Sequence, residues 1–421
     1  MKKFWVNKRM DASFGDWWFG VRSCVRAGRT DRVREVEAWW DPSGAGLVGL
    51  SVRSLFDHWL SAQGWGPGDR IVFTAFTVAD MPFIAHAHGV EVAAVDIDPL
   101  TCEPDLDMLR DVVDDRTRAV VYTHLFGARG DVSGALAIAH ERGVQFVEDC
   151  AEAYAGPRWR GHPASDLVLF SFGPIKTATA FGGGLARVAD EGVRAEMRRR
   201  ASGMPRQSRT EYLGRLVKFG ALAAATNPLA FAWLVRLLDR LGPGHDVVLN
   251  ALTRGFPGPD LLPRIRRRPA DALVRLLDRR LRQGDTCVSR RVGPGERLIA
   301  ALDGVPVPAA AAACHSHWLV PVLARDPDAL VGHLAKAGFH ATRGRAFAVV
   351  EHDPGVEARA PVGARELYER VVYLPFVPEM PAHVLDELAV VVRDETARQS
   401  ARRTAASNRS SNTAIRRFGS R

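Results

Sequence analysis

Apolar positions in the first half of the chain come in short β-branched runs, separated by stretches with helical spacing. Residues 70–76 form such a run after a Pro-Gly-Asp turn, and 90–95, 118–123, 144–148 and 167–172 repeat it. Between them, 80–88, 106–113 and 132–142 carry apolar residues three and four apart, as does 47–63 ahead of the first run. Strands that alternate with helices in this way predict an α/β fold: a large domain with a mostly parallel sheet flanked by helices. Residues 1–45, rich in Trp, read as an irregular N-terminal arm.

The pattern changes after 201. Residues 216–238 (LVKFGALAAATNPLAFAWLVRLL) are long enough for a membrane span but are interrupted by Lys218, Asn227, Pro228 and Arg236. Three readings stay open: a buried or dimer-interface helix pair bent at Pro228, a hairpin lying in a membrane interface, or a true span. Beyond it the signals are shorter and mixed, with helices at 269–281, 327–337 and 381–392 and strands at 317–323, 339–342 and 371–374. They predict a smaller C-terminal α+β domain. The expected division is an arm (1–45), a large domain (46–201), a helical apolar insertion (202–264), a small domain (265–395) and a disordered basic tail (396–421).

Composition adds little until it is localised. With 421 residues, 47% apolar and 25% charged, the chain can bury a sizeable two-domain core. The net charge of +9 is uneven. Residues 397–421 hold seven Arg and no acid, and 262–291 hold ten Arg against three Asp, so the remainder is slightly acidic. That argues against nucleic acid as the partner and for a solvated tail, with an anionic surface as the alternative. Five scattered cysteines without a CxxC pair fit neither a disulfide framework nor a zinc site, and no metal is expected. The N-terminus lacks an apolar signal segment, so the expected location is the cytoplasm, with membrane association through 216–238 as the variant.

The candidate chemistry lies at two strand ends. One run, VQFVEDCAEAY (144–154), closes on Glu148 and Asp149; a carboxylate there faces the crevice where α/β sheets bind ligands. A second, LVLFSFGPIKTATAFGGG (167–184), closes on Ser171, turns, reaches Lys176 and ends in three glycines. An amine, an anion, a hydroxyl and a glycine turn in this order suit pyridoxal 5′-phosphate (PLP). The amine holds the cofactor, the anion keeps the pyridine nitrogen protonated, and the hydroxyl with backbone N–H groups takes the phosphate.

With these residues in place, the chain resembles the DegT/DnrJ/EryC1/StrS family of PLP-dependent sugar aminotransferases, of the aspartate-aminotransferase fold (fold type I). The stretches that carry the likeness are GPGDRIVFTAFTVADM (66–81), VAAVDIDPLTCEPDLDML (92–109), VVYTHLFGARGDV (120–132), VEDCAEAY (147–154) and SFGPIKTATAFGGG (171–184). A looser match joins HWLVPVL (317–323) to VVYLPFVPEMP (371–381).

The resemblance implies that Lys176 is the Schiff-base lysine, Asp149 the pyridinium partner and Ser171 a phosphate ligand. It places Glu152 where the family usually has a Gln touching the ring hydroxyl. His124 lies in a segment that lines the site in the family; a packed core His is the other reading. There are departures. The family's Ser-Gly-Thr phosphate loop falls on Ser51, Val52 and Arg53, so only Ser51 matches, and Arg53 is either a substitute phosphate ligand or a surface charge. The ring-stacking aromatic falls on Val78, with Phe76 nearby, and the Asn that reaches in from a neighbouring subunit has no match near Ile265 to Pro269. The implied activity is transfer of an amino group, from glutamate, to a nucleotide-linked keto sugar, by a homodimer. The rivals are elimination or decarboxylation on the same scaffold, and a non-catalytic membrane-surface binding protein.

Overall fold

The computed structural model describes residues 4–6, 10–26, 32–225, 260–344 and 346–418, the last helical turns by their backbone alone. Its centre is a seven-stranded sheet. The strands, numbered along the chain, are β1 (Gly46–Gly49), β2 (Arg70–Thr74), β3 (Glu91–Val95), β4 (Thr117–Thr123), β5 (Gln145–Asp149), β6 (Leu167–Ser171) and β7 (Gly184–Val188). Their spatial order is β1-β7-β6-β5-β4-β2-β3. Strands β2 to β6 pair in parallel, and β7 runs antiparallel to both its neighbours.

The apolar runs are continuous because both faces of the sheet are covered. Ile71 and Phe73 enter one buried cluster and Val72 another; Ala119 and Val121 part from Val120 and Tyr122 in the same way. The helices at Asp80–Ala87, Leu106–Val112 and Ser133–Glu141 fall where their spacing predicted them.

Three expectations need correction. Residues 47–50 are not helical: Gly46–Gly49 pairs with β7, and the helix starts at Val52, with Ser51 accepting the Ser54 N–H as its N-cap. The arm is not irregular, since Phe14–Val25 and Arg32–Trp40 are helices. A Ser13–Asp16 capping box starts the first, and Trp17 Nε1 donates to the Leu216 carbonyl at 2.8 Å. The basic tail continues the helix Ala382–Phe418, a stretch that contains neither Pro nor Gly.

Of the apolar insertion, the helix Arg209–Ala225 is described, whereas 226–238 lies outside the described residues. Tyr212, Leu216 and Phe219 are buried among residues of the N-terminal helices and of Asp271–Leu281. Among the described residues no helix is long and apolar enough to cross a membrane.

The C-terminal part pairs Val320–Leu323 with Val371–Leu374 and covers them with Pro327–Ala337 and Ala382–Phe418. The helix Thr286–Ala301, not foreseen because Gly293, Pro294 and Gly295 interrupt its pattern, joins the two parts.

Candidate active site

The carboxyl ends of β5 and β6 and the loop after β6 bring the predicted residues together. Asp149 ends β5, almost fully buried, and its Oδ1 accepts the Ala151 N–H at 3.0 Å. Burial, the largest effect, raises its pKa; Lys176, His124 and Arg53 offset this only in part. One turn on, Glu152 is buried as well. Its Oε2 accepts the Phe126 N–H at 3.1 Å and its Oε1 accepts from Lys176 Nζ at 3.1 Å. Burial raises this carboxyl too, against the pull of Lys176.

Lys176 is held from three sides. Glu152 takes its amine, the Trp318 ring lies beneath the amine with 3.8 Å from Nζ to the centroid, and the indole N–H donates to the Ile175 carbonyl at 2.8 Å. The loop itself is fixed. Thr179 Oγ1 donates to the Gly173 carbonyl at 2.6 Å, and Ala178, at φ 56°, donates its N–H to Asp11 of the arm at 2.7 Å. A non-glycine residue in that conformation costs about 1–3 kcal/mol and persists because its surroundings impose it.

Trp318 and Asp11 are contributions that the sequence reading missed. A Trp in an apolar strand reads as core, and an acid in an arm reads as solvated. The ladder that brings Trp318 to the site pairs Cys314–His315 with Ala128–Arg129, and Arg291, buried, donates to the carbonyls of both His317 and Trp318.

Ser171 is half-buried at the end of β6, with the Gly173 N–H pointing to its Oγ at 3.4 Å. Ser51 caps its helix, and Arg53, on the first turn, is half-buried and ion-paired with Asp80. Val78 is half-buried at the end of a short strand, Phe76–Val78, paired with Phe347–Val349. Phe76 is spent elsewhere, stacked on Phe347 at 4.8 Å in a cluster with Phe126 and Tyr373. Arg266, in the segment where the resemblance leaves the Asn without a match, pairs with Asp57, which also holds His88.

His124 is buried, and its backbone N–H donates to the Asp149 carbonyl at 3.0 Å. Its Nδ1 accepts the Gly130 N–H at 3.2 Å, so Nε2 carries the proton and donates to Glu148 Oε2 at 2.9 Å. Glu148 also accepts Ser165 Oγ and the His162 N–H, both at 2.6 Å. Burial alone would raise this carboxyl; these bonds bring it below the ordinary range. With Cys150 the pair brings three metal-ligand atom types together, but both carboxylate oxygens are already engaged.

The mostly parallel sheet and the elements around it have the fold of solved aminotransferases. The sugar aminotransferase CalS13 from Micromonospora echinospora superimposes with a TM-score of 0.67 over 92% of this chain and 99% of its own, at 20% identity. Residues 57–239 match the model of the DegT/DnrJ/EryC1/StrS aminotransferase family, the family to which the motifs pointed.

Two curated relatives resemble part of the chain. One is a pleiotropic regulatory protein of Geobacillus stearothermophilus, 36% identical over 32% of this chain and 37% of its own length. The other is the dTDP-3-amino-3,4,6-trideoxy-alpha-D-glucose transaminase of Micromonospora megalomicea subsp. nigra, 31% identical over 47% of this chain and 58% of its own. The chain thus matches 37% of one relative and 58% of the other.

Proposed function

We propose that this protein is a PLP-dependent aminotransferase that moves an amino group from glutamate to a nucleotide-linked keto sugar, in the cytoplasm and as a homodimer. The observation that carries the reading is the placement of Lys176. Its amine projects between Glu152 and Trp318 within electrostatic reach of the buried carboxyl of Asp149. The donor set fits the cofactor. A buried carboxyl whose proton affinity is raised by its surroundings is suited to receive the N–H of a cationic pyridine ring, which would supply the missing counter-charge. Lys176 would hold the carbonyl carbon, and Ser51 and Ser171 would face the phosphate.

When bound, PLP supplies an electron sink for carbanion charge at the substrate carbon. The chain's own part is positional. Asp149 fixes the ring nitrogen's charge. Glu152 and Trp318 aim the lysine amine, which takes and returns the substrate proton. The five cysteines are free thiols, four of them buried, which suits a reducing compartment. The sugar reading rests on the transaminase and sugar aminotransferase relatives.

The test is an absorption spectrum of the purified chain with added PLP, followed by borohydride reduction and peptide mass mapping. The expected outcome is a band near roughly 410–430 nm that shifts with glutamate, and cofactor mass on the Lys176 peptide. Lys176→Ala should lose both. A wild-type chain without the band would overturn the reading. A band without an amino product from glutamate and a keto sugar nucleotide would move it to elimination or decarboxylation.

A further inference from the structure

The pairing of β7 gathers a second set of groups beside Lys176. Gly184 lies opposite Gly49 of β1 and opposite Ser171 of β6, so Ser51 and Ser171 reach the same end of the sheet. The turn into β7 lies hard against the helix that Ser51 starts. A Cβ on Gly184 would meet the Ser51 carbonyl carbon at 2.8 Å and the Val52 nitrogen at 2.9 Å, which only glycine avoids.

Two guanidinium groups flank this turn. Arg53 stands one residue past Val52 on the first helical turn. Arg215, from the helix Arg209–Ala225, comes within 3.9 Å of where a Gly182 Cβ would stand, with its guanidinium 5.7 Å from the Phe219 ring. The two feel each other's charge, and Arg53 also acts on Asp149, so both belong to the electrostatic surroundings of the site. Burial, the larger effect, and then Arg53 itself work against the charge on Arg215, outweighing its neighbours Tyr212 and Glu211. Arg53 also pairs with Asp80. Like charges brought together beside two hydroxyls and a cap of helix N–H groups are relieved by a dianion placed between them.

We propose that Arg53 and Arg215 together hold the phosphate group of PLP, an assignment that rests on the cofactor reading above. They stand in for donors this chain lacks. Position 53 carries a guanidinium where a hydroxyl is expected, and Arg266, in the segment where the Asn has no match, is engaged with Asp57 inside the chain. Arginine suits the task because its planar fork donates two parallel hydrogen bonds to phosphate oxygens. The helix that supplies Arg215 begins the atypical insertion, which thereby gains a role at the site.

The test compares two ligands that share a ring and an aldehyde but differ in the phosphate: PLP and pyridoxal. Each is titrated by fluorescence into the full chain stripped of cofactor, as wild type, Arg53→Gln, Arg215→Gln and Arg215→Lys. The expected result is that each Gln variant weakens PLP by about ten- to a hundredfold, the range for a charged hydrogen bond. Pyridoxal binding should stay within about twofold, and Arg215→Lys should fall between. Equal weakening of both ligands, or unchanged PLP affinity, would overturn the assignment while leaving the cofactor reading intact. A wild-type chain that binds neither ligand would overturn both. Circular dichroism checks each fold; if Arg215→Gln does not fold, Arg53→Gln, whose side chain is half-exposed, decides by the same comparison.

Discussion

At the scale of single residues, Glu152 is the group whose chemistry differs most from the expected Gln. Its carboxyl is buried beside Lys176 and its pKa is raised, chiefly by burial. The sign follows directly. Between the ordinary value near 4.5 and the raised one, the folded chain holds a proton that the unfolded chain has released, so this group's contribution to stability falls as pH rises through that window. Glu152→Gln does not titrate. Its melting temperature, relative to wild type, should therefore climb as pH is taken from 4.5 to 7; a constant difference would show that the carboxyl titrates normally. Trp318 has a separable role. Trp318→Phe keeps a ring under Lys176 Nζ but loses the bond to the Ile175 carbonyl, at a cost of about 1 kcal/mol, whereas Trp318→Ala loses both. If the indole positions the amine, cofactor affinity should follow the order wild type, Phe, Ala; equal affinities would restrict Trp318 to packing.

At the scale of elements, the N-terminal helix Phe14–Val25 is tied to the helix Asp271–Leu281 by Asp16. This buried carboxylate meets Ser13, Arg279, Arg280 and Gln283. Burial would raise its pKa, but the bonds to Ser13 and Arg279 and the charge of Arg280 win and bring it to about 2. Its contribution is complete above the ordinary value of 3.8 and is lost as pH falls toward about 2. Asp16→Ala leaves Arg280 buried without that partner and should cost about 3–5 kcal/mol in urea unfolding at pH 7. The deficit should shrink below pH 4, and a cost under about 1 kcal/mol would mean that the two helices are joined by apolar contacts alone. The same elements show what the chain's pattern could and could not reveal. Strands β2 to β6 were legible because burial on both faces makes their apolar runs continuous. Strand β1 read as part of a helix, since Leu47 to Leu50 continues an apolar spacing and only pairing with β7 makes it extended. Lys176 and Asp149 were legible because strand ends expose chemistry at fixed offsets. Arg215 and Trp318 were not, because only tertiary packing brings Arg215 to Gly182 and Trp318 to Lys176.

At the scale of the whole molecule, the C-terminal part reaches the lysine loop through the segment Cys314 to Trp318. His315 and His317 stack there at 4.2 Å, and Gly295 lies so close that a Cβ would meet His317 Cγ at 2.3 Å. Burial lowers His315 to about 3, helped by His317, and lowers His317 to about 4, helped by Arg291. Both rings are therefore neutral in the folded chain at working pH. As pH drops below the ordinary value of 6.5, the unfolded chain takes up protons that these folded rings refuse until about 3 and 4, so stability is lost progressively across that window. Opening this segment would also release Trp318 from the Ile175 carbonyl, and PLP affinity should weaken over the same pH range. Carboxylates such as Asp16 act lower, below about pH 4, whereas Glu152 and His58 also change across this window, so the imidazole pair is read from the difference between variant and wild type. His315→Asn with His317→Asn removes the titrating rings while keeping polar side chains, and Asn tolerates the left-handed φ of 46° at position 317. From pH 6.5 to 4.5 the wild type should lose melting temperature and PLP affinity relative to that variant. A parallel decline in both proteins would place the acid sensitivity outside the imidazole pair and remove the link between this segment and the lysine loop.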